Sequence, residues 1–256
     1  MKLRLCSYGI LGAGIAFGSI AVPAQSTPGA SVAHIVQSLV AMHEAWSSKL
    51  TIPGASITAK EIGRDGSVVR YTLYVSGLPK GRLYTVVSWP VNQLKPTAVM
   101  EGVSLGKDGM VMCTGRMPGE CSDPGDEDHG EVHFIFNSLP GEPNRLALVN
   151  GDEHAAIVIV PNPIAARDGK CTLNAERLLP HFEIAYLTGT GYSAGASVSY
   201  DVDSAGEKHS GATTADADGN IRFALLPFVA GRQKGTVRVR MEASGCSPSL
   251  QFDWGQ

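Results

Sequence analysis

The chain has 256 residues and a formal net charge of −3, with hydrophobic residues making up 43%. That length supports one large or two small domains, each with its own core. The mildly acidic balance excludes whole-surface capture of nucleic acid, and no apolar run after the N-terminus approaches the roughly 20 residues a spanning helix needs.

The N-terminus reads as a cleavable export signal. Lys2 and Arg4 form a basic start, Tyr8 to Val22 is apolar and rich in glycine and alanine, and Val22-Pro23-Ala24 offers the small-residue pattern that signal peptidase cuts after. Cleavage there leaves Gln25 first and, by removing two cations and no acid, lowers the net charge from −3 to −5. Cys6 precedes the apolar stretch, where it cannot serve as a lipid anchor, and leaves with the signal. Cys113, Cys121, Cys171 and Cys246 then enter an oxidising space, periplasmic or extracellular, where paired thiols persist. No transmembrane span is expected after cleavage.

From Ser31 to Leu50 apolar residues recur at helical spacing: Val32, Ile35, Val36, Leu39, Val40, Met42 and Trp46. Ser31 is placed as the N-cap and Pro53 lies beyond the end. The expectation is one helix packed on the first sheet domain, because a helix of this length is marginal alone. After Pro53 the period falls to two. Strands are expected at 54–62, 67–77, 82–89, 97–105, 109–113, 131–137, 144–149 and 154–160, then at 170–175, 182–189, 196–203, 207–214, 219–226, 235–242 and 248–254. Arg64-Asp65-Gly66 and Lys107-Asp108-Gly109 read as hairpin turns, and so does Asp216-Ala217-Asp218-Gly219-Asn220. Pro161-Asn162-Pro163 ends ladder pairing and marks a domain boundary. The expected fold is therefore all-β: signal 1–24, helical segment 25–52, and two Greek-key β-sandwiches at 53–160 and 161–256.

Leu78-Pro79-Lys80-Gly81-Arg82-Leu83-Tyr84 resembles the turn between strands E and F of fibronectin type III and related immunoglobulin-like modules. The resemblance implies that Leu78 plugs the core and that Tyr84 buries its ring and returns its hydroxyl to backbone. Leu187 to Gly195, followed by Thr213 to Phe223, resembles the glycine-rich turn and closing hairpin of bacterial IPT/TIG-like modules. Together the halves are similar to exported bacterial proteins with tandem immunoglobulin-like domains, a class that implies no chemistry. First and last strands of such sandwiches often neighbour one another, so Cys171–Cys246 is the simplest pairing, leaving Cys113 to Cys121; four cysteines allow three connectivities.

Several motifs carry sharper alternatives. Cys113, Cys121, His129 and His133 have the composition of a zinc site without the short thiol spacing of a knuckle. Asp123, Asp126, Glu127 and Asp128 crowd four carboxylates that calcium would relieve, whereas the Asp216 segment lacks the bidentate glutamate of an EF-hand. Gly191-Tyr192-Ser193-Ala194-Gly195 matches a nucleophile elbow, but an alternating strand follows where a helix is required, and His209 is the only histidine downstream. His34 and His43 fall in the helix pattern. No residue is assigned a catalytic, metal or cofactor role. Arg238 and Arg240 point outward on one strand and form a candidate anion-binding surface. The expectation is an exported non-enzymatic binding or structural protein whose partner is an anionic glycan or another protein. The alternative is a secreted hydrolase or a calcium- or zinc-dependent enzyme.

Overall fold

The computed structural model describes residues 28–91, 93, 95–113, 130–179 and 184–255. The expected signal segment, the acidic loop at 123–128, Cys121 and His129 lie outside them. Among the described residues one helix, α1 (Pro28–Lys49), precedes sixteen strands. It starts three residues before Ser31, because proline is tolerated in a first turn, where its missing N–H needs no partner. The strands are β1 (Ser56–Asp65), β2 (Val68–Ser76), β3 (Tyr84–Trp89), β4 (Thr97–Leu105), β5 (Val111–Cys113), β6 (His133–Asn137), β7 (Asn144–Asn150) and β8 (Glu153–Ile159). They continue as β9 (Ile164–Asp168), β10 (Cys171–Leu179), β11 (Ile184–Thr190), β12 (Ser197–Ser204), β13 (Glu207–Thr214), β14 (Ile221–Leu225), β15 (Gly235–Glu242) and β16 (Ser249–Trp254).

Two compact units result, one of residues 42–163 and one of residues 28–41 with 164–255. In the first, a three-stranded sheet in the order β1-β2-β6 faces a five-stranded sheet in the order β5-β4-β3-β7-β8. Inward residues of both sheets, among them Val69, Leu73, Val86, Val103 and Leu148, form one core. In the second, β14-β11-β10-β9 faces β13-β12-β15-β16. Leu173 and Leu187 of one sheet meet Val198, Val237, Val239 and Leu250 of the other. The chain crosses between sheets from β2 to β3, β5 to β6 and β6 to β7 in the first unit and from β11 to β12, β13 to β14 and β14 to β15 in the second, and the architecture is an immunoglobulin-like Greek key. The turn at Asp65-Gly66 closes β1 onto β2 as a two-residue hairpin, since Asp65 pairs with Val68.

The structure departs from expectation in four places. β9 was not anticipated: its Ile-Ala-Ala-Arg-Asp has weak β propensity, and it is held as a hairpin partner of β10 across Gly169-Lys170. Pro161 to Pro163 belong to the first unit, because Asn162 donates to the carbonyls of Ser67 and Ser138 while its own carbonyl accepts from Gly141 N. The Asp216 segment is not a hairpin, because β13 and β14 belong to different sheets. Asp216 instead accepts from the N–H groups of Asp218 and Asn220, and Gly219, at φ +75°, is pressed against the Tyr192 carbonyl. These bonds hold the Asp216 carboxyl below its ordinary range, the Asn220 N–H contributing most.

Only part of the helix packs as expected. Trp46 clusters with Trp89, Ala147 and Ala156 of the first unit, whereas Val36, Leu39 and Val40 cluster with Leu178, Ile184 and Tyr186 of the second.

Cys171 and Cys246 form a disulfide with Cα atoms 6.1 Å apart, linking the start of β10 to the turn before β16. Its sequence separation of 75 closes a long loop in the unfolded chain, a constraint worth on the order of 4 kcal/mol. Trp254 is the only tryptophan of the second unit, and its Nε1–H donates to buried Ser204 Oγ, whose hydroxyl donates to Pro227 O. In a Trp46→Phe, Trp89→Phe background, urea unfolding followed by Trp254 fluorescence should show the Cys171→Ala, Cys246→Ala variant less stable by about 4 kcal/mol. An unchanged midpoint would remove the bridge from the second unit's stability.

Candidate functional site

Tyr84 does what the resemblance implied at a different place in the topology. Its ring is buried and its hydroxyl donates to Pro79 O at 2.7 Å, but the turn joins β2 to β3, the second and third strands, rather than the fifth and sixth. The same need arises at either crossing: a chain leaving one sheet for the other exposes backbone carbonyls that a core-anchored hydroxyl can satisfy. Burial and the neighbouring Glu153 carboxylate push the Tyr84 phenol up from its ordinary range. Arg82 Nη1 approaches the same carboxylate at 3.4 Å, and Asn150 donates to Leu83 O, so this end of the sandwich is tied together by side chains.

On the outer side of β3 and β7 lies a buried cation that the sequence did not advertise. Arg145 is 3% exposed; its Nε donates to His43 Nδ1 at 3.1 Å, and its guanidinium lies 4.6 Å above the Trp89 ring. Trp46 completes the cluster, tilted against Trp89 at 5.5 Å and donating through Nε1 to Leu146 O. A planar, weakly hydrated guanidinium suits such a stacked site. The arrangement docks residues 42–49 on their sheet. Its only trace in the sequence is Arg145 standing directly before the apolar run 146–149.

Arg238 and Arg240 are exposed on β15, as alternation requires. The structure adds their neighbours. Arg238 stands opposite Asp203 of β12 on one side and Gln251 of β16 on the other, while Arg240 stands between Asp201 and Ser249. Lys208 of β13 continues the first row at 3.9 Å from Asp203. Glu242 and Asp253 add two more acids, and Thr236 donates to Asp253 at 2.6 Å. The outer face of this sheet is therefore a lattice of interleaved cations and carboxylates. Opposite charges on facing strands stabilise one another, which weakens any net pull on a polyanion.

The remaining motifs are dispersed. Ser193 is exposed in the turn between β11 and β12, and residues 197–204 form a strand where an elbow would need a helix. His209 sits opposite Val202 in the β12–β13 ladder. Tyr192 is buried, and desolvation pushes its phenol up to about 12. Cys113 is disulfide-bonded, so its sulfur is no thiolate for zinc, while the other cysteine and His129 of that set lie outside the described residues. Among the described residues no three His, Cys, Asp or Glu side chains gather as a metal centre, and no helix is long and apolar enough to cross a membrane. No family model matches the chain, and no curated protein matches its sequence.

Two outcomes follow. Tyr84→Phe should cost about 1 kcal/mol of the first unit's stability by urea denaturation, the net value of one hydrogen bond. Reversing both Arg238 and Arg240 to Glu should lower the second unit's stability by roughly 1 kcal/mol by placing like charges opposite Asp201 and Asp203. Adding salt should shrink that loss.

Proposed function

We propose that the protein is an exported, non-enzymatic binding or structural protein of the cell envelope or extracellular space. The observation that carries this reading is the buried Cys171–Cys246 bridge, because disulfides of this kind persist in oxidising compartments and not in a reducing cytosol. The basic and then apolar start of the sequence supports the same route. Two sandwiches whose inward residues are committed to packing leave loop ends and sheet faces as contact surfaces. The β13-β12-β15-β16 face, with acids set between its arginines, suits another protein of mixed surface charge better than an anionic glycan.

Expressed as the full chain in a bacterial host, the protein recovered from outside the cytoplasm should begin at Gln25 and yield a linked Cys171 and Cys246 peptide on non-reducing mapping. Recovery from the cytoplasm with residues 1–24 intact and thiols free would overturn the export reading. Fluorophosphonate labelling should fail; labelling abolished by Ser193→Ala would overturn the non-enzymatic one.

A further inference from the structure

Strand β5 pairs with β4 along one edge, Leu105 opposite Val111 and Val103 opposite Cys113. The other edge of the 109–113 segment meets two neighbours in turn. Val75 N donates to Gly109 O, and Tyr74 faces Met110 across an antiparallel bridge. Further along, Cys113 N donates to Gly130 O, Val132 N donates to Val111 O, and Met112 faces Glu131. Val111 is fully buried, so strand alternation turns Met110 and Met112 to the opposite face, where both are half-buried. Glu131 shares that face, being opposite Met112. His133 shares it too, two residues along, because Phe134 between His133 and Ile135 points into the core. Opposite residues place their Cβ atoms about 5 Å apart and alternate residues of a strand about 7 Å apart, distances that long, flexible methionine side chains span. Two thioethers and one imidazole therefore share one face of the first unit within reach of one another, and His133 Nε2 lies 3.5 Å from Glu131 Oε2.

We propose that Met110, Met112 and His133 form a binding site for a monovalent copper ion. Thioether sulfur is a soft donor that selects Cu(I) and holds calcium or magnesium poorly, and imidazole is compatible with copper. Glu131 acts on the far side of the ring: a carboxylate at Nε2 fixes the tautomer and leaves Nδ1 for the ion, the usual second partner of a metal-bound histidine. Its negative charge also offsets that of the ion. If the export reading holds, the donor choice gains a further reason, because thioethers cannot be lost to disulfide formation where cysteines are oxidised. The binding itself does not depend on that reading.

The test uses the purified full chain with its disulfides intact, titrated anaerobically with Cu(I) against a chromophoric Cu(I) chelator. The chain should withhold a single equivalent, and neither calcium nor zinc in excess should release it. The Met110→Leu, Met112→Leu double variant keeps volume and apolarity, so it should fold normally by circular dichroism yet lose the withheld copper. Glu131→Gln should weaken binding about tenfold. No copper withheld by the native chain, or retention unchanged in the double variant, would overturn the site; an unaltered affinity in Glu131→Gln would overturn the orienting role.

Discussion

Burial of every second side chain between two facing sheets is the constraint on which this protein rests. β15 states it most simply: Val237, Val239 and Met241 are fully buried, and Thr236, Arg238, Arg240 and Glu242 are exposed. A one-residue slip in register would turn the arginines into the core and the valines into water. The bridge from Cys171 to Cys246 acts on that same core, restraining the unfolded chain between its first long strand and its last.

A sandwich built this way must also satisfy the backbone where strands change sheets, and each unit does so with side-chain polar groups. Tyr84 serves the β2–β3 crossing through Pro79 O. Ser204 and Trp254 serve the β14–β15 crossing through Pro227 O. Asp216 caps the β13–β14 crossing through two backbone N–H groups. A lowered carboxyl pKa at Asp216 means this contribution is present above the ordinary carboxylate range and is lost as pH falls through the depressed value.

The outward half of the same alternation decides what the surface can do. On β12 and β15 it yields alternating charge, a soluble face with little net field. Around β5 it yields Met110 and Met112 on the same face as His133, a soft-donor patch that counting histidines, cysteines and acids does not find. Both follow from one periodicity, and they differ only in which strands lie next to one another.

The helix α1 and every described strand but β9 were legible in the sequence, because period-two alternation, helical spacing and turn glycines are local signals, and the pairing of Cys171 with Cys246 followed from their places near the two ends of the second sandwich. Arg64-Asp65-Gly66 could be read as a turn from three residues alone. By itself the sequence determined an all-β chain with a hydrophobic start and an outward-facing Arg238 and Arg240. Only the tertiary structure decided that Asp201 and Asp203 flank those arginines, that Arg145 is buried against His43 and Trp89, that Tyr84 serves the second crossing, and that Glu131 faces Met112. Each of these depends on which strands neighbour one another, and cross-strand adjacency is set by packing between residues far apart in the chain.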